Sequence, residues 1–320
     1  LLLAKPFDTV LTMEYVAFLS QQNRYLDASA QLQQLVIADK TNPDIYLQLG
    51  KLAIRTGDVS RAIDDYLLQA QVLYKRLKNK AGLADTLNAT GVAIQRQGKF
   101  ADAVPQYQQA LALFEQIGDI AGMAKASSNL GFVQFVAGDE QQARLTLQQA
   151  MQYYRQINDR DGEAGTIDNL GLLAEELGEY QQAQRYFAEA FSLRTHLDDS
   201  WKLTESLINL GYIYFVLSEF EQSLVYLKQA EQTAVANNDA LSLLKVRQSL
   251  AQLKIQQGEW GQAFRLFTAT SEDAQALDLT EDKLIAQAFL AKLSGMQGNF
   301  SLAESQLLTF AQQAKSEQDL

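Results

Sequence analysis

The 320-residue sequence has no cysteine, three prolines and a single histidine. Without thiols there can be no disulfide framework and no thiolate metal site, a composition that suits a reducing cytoplasm. His196 has no second histidine or cysteine to join in a metal site or a catalytic array, so it reads as a helix-capping or surface residue. Positive charge is also scarce, with 27 Lys and Arg against 38 Asp and Glu and a net charge of -11. That balance argues against nucleic acid and anionic membranes as partners, because both need clustered cations. No apolar run approaches the ~20 residues that a membrane span requires. The opening LLLAKPF lacks an initiator Met and a signal pattern. The expectation is therefore a piece of a longer protein, with any targeting information outside it.

What the sequence does have is a period. Asn129-Leu130-Gly131, Asn169-Leu170-Gly171 and Asn209-Leu210-Gly211 recur every 40 residues. The same step reaches Gly91, Ala251 and Ala291, a step of 41 reaches Gly50, and a step of 34 reaches Val16. These eight small or apolar anchors tile the chain. Seven residues past each lies a residue suited to a left-handed turn: Asn23, Gly57, Gly98, Gly138, Gly178, Ser218, Gly258 or Gly298. Twelve past comes Ala28, Ala62, Ala103, Ala143, Ala183, Ser223, Ala263 or Ala303. Four further on stands a large apolar residue: Leu32, Tyr66, Tyr107, Leu147, Phe187, Leu227, Phe267 or Leu307. The unit is a helix, a tight turn and a second helix, with small residues where the two helices touch.

Helix starts are legible as well. Asp8 and Asn42, the latter before Pro43, stand eight residues ahead of their anchors. From the third repeat the caps are Asn79, Asp119, Asp159, Asp199 and Asp239, twelve ahead, so the first helix of each later pair gains about one turn. Acidic caps also suit the positive end of the helix dipole. Pro105, beyond the first turn of its helix, predicts a kink or a late start there.

Segments that resemble chemical motifs are better explained by this framework. Asp159-Arg160-Asp161-Gly162-Glu163 lacks the third acidic position and the closing Glu of a calcium loop, and falls on an inter-repeat cap. Gly98-Lys99 lacks phosphate-loop spacing. Glu175 and Glu176 are adjacent on a helix and point about 100° apart, so they cannot share a proton. No catalytic residues, cofactor or metal site are expected.

The pattern of Leu-Gly in the first helix (A), followed by Ala and a large residue in the second (B), resembles the tetratricopeptide repeat. Its 40-residue period is similar to the repeats of kinesin light chains, Pins-type adaptors and Rap-type peptide-pheromone receptors. The resemblance implies an all-α, right-handed superhelical solenoid of about eight helix-turn-helix repeats. The expected repeats are residues 8–41, 42–78, 79–118, 119–158, 159–198, 199–238, 239–278 and 279–316 of a single solenoid. It also implies that helix A lines a concave face.

On helix A, the positions six and two before the anchor and one and five after it share a face. In repeats four to six these include Lys125, Asn129, Phe132, Val136; Gly165, Asn169, Leu172, Glu176; and Glu205, Asn209, Tyr212, Val216. Phe135, Asp168, Glu175, Ile208 and Phe215 flank them. Asn is a mediocre helix former, yet its amide both donates and accepts, as an extended peptide backbone requires. In the similar families an Asn ladder here holds the ligand main chain, which implies that role for Asn129, Asn169 and Asn209. Phe132, Phe135, Leu172, Tyr212 and Phe215 would supply apolar contacts, and Glu176 and Glu205 an acidic tint that favours a basic ligand segment. The expected function is protein or peptide binding, as the sensor or interaction module of a larger bacterial regulatory protein. The alternatives are that these Asn side chains bond between neighbouring helices, and that the chain is an assembly scaffold packing on itself or an adjacent domain. The last helix, with Phe300, Leu302, Leu307, Leu308 and Phe310, carries more apolar surface than one packing face needs, which points to self-association at that end.

Overall fold

Helix propensity, apolar spacing and paired caps leave the chain one regular option, and the computed structural model, which describes residues 8–197 and 200–318, takes it. Among the described residues there are sixteen helices and no strand. The A helices are α1 (Thr9–Gln21), α3 (Pro43–Arg55), α5 (Lys80–Arg96), α7 (Ile120–Val136), α9 (Arg160–Glu176), α11 (Ser200–Val216), α13 (Ala240–Gln256) and α15 (Thr280–Met296). The B helices are α2 (Tyr25–Ala38), α4, α6 (Phe100–Ile117), α8 (Glu140–Gln156), α10 (Tyr180–Arg194), α12 (Phe220–Ala236), α14 (Trp260–Ala276) and α16 (Phe300–Gln318). Helix α4 runs through three consecutive segments, Val59–Arg61, a π turn at Ala62–Leu67, and Leu68–Arg76.

The expected caps are in place. Asp8, Asn42, Asn79, Asp119, Asp159 and Asp239 each accept a backbone N–H of the first turn, satisfying one of its orphan donors. Asp199 lies outside the described residues. All eight residues seven past the anchors adopt positive φ, from 57° at Asn23 to 85° at Gly57. A second positive-φ series precedes the A helices at Lys78, Gly118, Asn158, Asn238 and Asp278. The same device thus serves the turn within each hairpin and these five junctions between hairpins.

Contacts gather the chain into two compact units, one up to Leu173 and one from Ala174. In the first unit the core forms where B-helix side chains enter the space left by small A-helix residues. A Cβ on Gly91 would stand 2.7 Å from the Tyr107 ring, and one on Gly131 would stand 2.6 Å from Leu147 Cγ. Burying each such side chain stabilises the unit by about 1.5–3 kcal/mol. Three further joints, invisible to the anchor pattern, seat an aromatic ring on a glycine of the next A helix: Tyr74 on Gly82, Phe114 on Gly122 and Tyr154 on Gly162. These joints hold the extra turn that the A helices gain from the third repeat onward.

The π turn explains the single 41-residue step. Gly50 receives Leu67, seventeen residues on, where every other glycine anchor with a contact receives the residue sixteen on. One additional residue between Ala62 and Leu67 is absorbed by widening one turn, so that Ala70 and Tyr74 regain their buried places. The late start expected at Pro105 does not occur: α6 starts at Phe100, in step with its counterparts, and runs without a break to Ile117. Ala101 and Pro105 both lie on the exposed face, where water can satisfy the Ala101 carbonyl that proline leaves without a donor.

In the second unit the same logic repeats with Leu227 on Gly211. Here Arg194 takes the place of the ring that seats on glycine elsewhere; it is buried and donates to the Lys202 carbonyl at 3.3 Å and the Ser206 hydroxyl at 2.7 Å. Each large residue at the hairpin centre is buried, with one exception. Leu307 is 50% exposed, beside exposed Leu302 and Leu308, while Phe310 is half-buried. His196 is exposed, and its Nδ1 lies 3.0 Å from the Ser192 carbonyl in the last turn of α10, the capping position expected for it. No helix among the described residues is long and apolar enough to cross a membrane, and no group of three potential metal-ligating His or carboxylate side chains occurs among them.

Candidate functional site

The A-helix stripe six and two before the anchor and one and five after it is the accessible side of these helices. Lys125, Val136, Glu176, Glu205 and Tyr212 are exposed, and Asn129, Phe132, Gly165, Asn169, Leu172, Asn209 and Val216 are half-exposed. Caps and hairpin joints fix the azimuth of each helix, so this face is set by the burial of the opposite one. Apolar or aromatic side chains are left accessible on it in each unit, Phe132 and Leu172 in the first and Tyr212 in the second.

The three asparagines differ. In the first unit Asn129 donates Nδ2–H to the Asn88 Oδ1 of the preceding A helix at 3.2 Å. This is the inter-helix bond of the alternative reading, and it gives Asn88, which stands one residue out of register, a role. A second such link joins the Ser128 and Thr166 hydroxyls at 3.1 Å. Asn169 and Asn209, by contrast, make no hydrogen bond within the chain among the described residues. Their amides are half-exposed, mid-helix and available.

The aromatic residues are partly committed to packing. Phe132 meets Phe100 edge-on, with ring centroids 6.5 Å apart. Phe215 packs against Phe220 at 6.0 Å and joins the core of the second unit. Phe135 is half-buried. Tyr212 is the most accessible ring, and its hydroxyl donates to the Glu175 carboxylate. Burial holds the Glu175 carboxyl above its usual range, the Tyr212 hydrogen bond opposes that rise, and the Glu176 charge adds to it. Burial also raises the Tyr212 hydroxyl, with the Glu175 charge as the next cause.

Anchor-based reading overlooked one column. Nine residues past the anchors stand Tyr25, Phe100, Tyr180, Phe220, Trp260 and Phe300, each opening its B helix or standing at its first turn. The signal follows six of the eight anchors, with Val59 and Glu140 in the same place in the second and fourth repeats. It places Tyr180 near enough to Tyr212 for their hydroxyls to interact electrostatically.

Hairpins of capped helices, small residues at every crossing and an accessible A-helix face define a helical-repeat protein of the interaction type. Models described as tetratricopeptide repeat match residues 19–77, 83–117 and 122–196, and the chain belongs to the tetratricopeptide-repeat family. No curated protein matches the sequence. Among solved structures, a Rap protein complexed with competence and sporulation factor is 15% identical with a TM-score of 0.67, over 90% of this chain and 80% of that one. A signal-transduction ATPase with a tetratricopeptide repeat sensor from Pyrococcus horikoshii is 14% identical with a TM-score of 0.69, over 89% of this chain and 44% of that one. Kinesin light chain-like repeats of Podospora anserina are 14% identical with a TM-score of 0.51, over 60% of this chain and 94% of that one. At these identities the likeness is one of fold.

Proposed function

We propose that the A-helix faces hold an extended polypeptide segment, and that the chain is the sensor or interaction module of a larger, bacterial regulatory protein of the cytoplasm. It acts by binding and not by catalysis. The observation that carries this reading recurs in each unit: a half-exposed mid-helix amide with no hydrogen-bond partner among the described residues, Asn169 beside Leu172 in the first and Asn209 beside Tyr212 in the second. An amide that neither caps nor cross-links costs helix stability, and its donor and acceptor match the N–H and C=O of an extended chain. Asn129 is already half-used by Asn88, so its share is smaller. Phe132, Phe135 and Phe215 shape the floor, while Glu176 and Glu205 supply charge. The solved Rap complex and the tetratricopeptide sensor give this reading precedent in fold alone.

The test is site-specific photo-cross-linking. Peptides of about twelve residues are selected on the full chain from a random displayed library, and a benzophenone amino acid is placed in turn at Leu172, Tyr212 and the exposed B-helix residue Val225. Cross-links at Leu172 and Tyr212 are expected. Cross-links confined to Val225, or no selected peptide, would contradict the reading.

A second reading, assembly through the end of α16, is favoured by the exposure of Leu302, Leu307 and Leu308. Under it the solution mass rises with concentration and falls back to one chain on Leu302→Glu with Leu308→Glu.

A further inference from the structure

The junction of the fifth and sixth repeats, within the second unit, differs from its counterparts in a way that specifies a ligand group. Repeat geometry places the residue nine past one anchor against the residue one past the next. Where those residues are Phe100 and Phe132, both rings are half-buried and in edge contact, an apolar seal. In the corresponding places stand Tyr180 and Tyr212, respectively 39% and 36% exposed. Beside them, four past the anchor, the third repeat has Gln95, which accepts from Tyr107 at 2.8 Å. The fifth repeat has Glu175, half-buried and accepting from Tyr212, with Glu176 next to it and exposed. On α11 Glu205 extends the anionic edge. Among the described residues no Lys or Arg forms an ion pair with Glu175, Glu176 or Glu205. Two open aromatic rings and a partly desolvated carboxylate are thus gathered with no cation to complement them.

We propose that the notch formed by Tyr180, Tyr212, Glu175 and Glu176 receives a cationic side chain, a guanidinium or an alkylammonium, of the bound polypeptide. Tyrosine faces attract such a cation through the ring quadrupole, and more strongly when water is partly excluded. The Glu175 oxygen not engaged by Tyr212 and the Glu176 carboxylate supply charge-assisted hydrogen bonds. A guanidinium suits the notch better than an ammonium, since it can stack on one ring while its fork meets a carboxylate. The ligand is then a basic segment, and the acidic chain steers it by its overall field. The elevated Glu175 carboxyl supports this placement, because an incoming cation relieves the cost of holding that charge half-buried.

This inference rests on the groove-binding reading, and the experiment separates the two. The peptides selected on the full chain are sequenced, and the binders are remade with citrulline in place of arginine, which removes the charge and keeps the shape. The expected result is enrichment of Arg or Lys at one peptide position, about tenfold weaker binding for the citrulline form, and a similar loss on Glu175→Gln with Glu176→Gln. Tyr180→Leu is expected to weaken binding several-fold while Tyr180→Phe, which keeps the ring face, holds it within about twofold. Because Glu175→Gln retains an acceptor for Tyr212, a melting temperature no lower than that of the unsubstituted chain excludes misfolding as the cause. Peptides that bind, lose affinity on Asn209→Ala, yet lack an enriched basic residue or ignore the Gln variants would overturn the notch and leave the groove standing. Failure to select any peptide would overturn both.

Discussion

Ser218 carries the one hairpin turn among the eight that uses neither glycine nor asparagine, and it sits at a φ of 63°. The left-handed conformation costs an L-residue roughly 1–2 kcal/mol, a cost that glycine does not bear. Ser218→Gly is accordingly expected to stabilise the chain by about 1 kcal/mol, read as a shift in the denaturation midpoint at constant slope. A loss of stability would show that the serine side chain has an unrecognised partner. Glu175 gives a pH-dependent counterpart. Its folded carboxyl titrates above the unfolded one, so the folded state holds the proton more tightly. Stability is then undiminished below the unfolded carboxylate range and declines as pH rises through the folded value. Glu175→Gln should raise the melting temperature near neutral pH and leave it unchanged in acid. Equal effects at both pH values would assign the change to packing instead of charge.

At the scale of the element, the hairpin was readable because every constraint on it is local. The caps, the left-handed turns and the small residues at the crossings repeat at fixed offsets, and each has a single structural use. What could not be read was how one surplus residue would be absorbed. The 41-residue step shows that an insertion exists, but only packing shows that it sits between Ala62 and Leu67 and that Leu67, not Tyr66, reaches Gly50. Pro105 failed as a signal for the opposite reason: its effect depends on which face it occupies, and the exposed face forgives it. Deleting Asp64, exposed within the π turn, should convert α4 to regular α-helix and bring Leu67, Ala70 and Tyr74 to the offsets of the other repeats. The melting temperature should stay within a few degrees. Deleting Leu145, exposed at the matching point of α8, should instead displace Leu147, Ala150 and Tyr154, with a cost of about 2–5 kcal/mol for each large side chain unseated. Comparable losses from both deletions would refute the register argument.

For the molecule as a whole, the sequence indicated which face of each A helix is open, since that face follows from the anchors by helical geometry. It did not indicate which of the three equivalent asparagines was free. Asn129, Asn169 and Asn209 occupy one position of the repeat, and only the neighbouring helix decides that Asn129 bonds to Asn88 while the other two have no hydrogen-bond partner among the described residues. Nor did it single out Tyr180, whose meaning comes from Tyr212, 32 residues later, and not from its own surroundings in the chain. Relations between repeats, unlike relations within a hairpin, depend on how the stack is assembled.

The account's central claim is that Asn169 and Asn209 serve a ligand and not the fold. It is tested by measuring peptide affinity by calorimetry and thermal stability by differential scanning on the Asn169→Ala and Asn209→Ala chains, with Asn129→Ala alongside. Loss of a hydrogen bond of about 1–1.5 kcal/mol predicts roughly tenfold weaker binding at each of the first two sites. Stability there should be unchanged or higher by several tenths of a kcal/mol, since Ala is the better helix former. Asn129→Ala should lower stability, through loss of the Asn88 bond. Unchanged affinity with a lower melting temperature at Asn169 and Asn209 would contradict the claim and return both residues to the architecture.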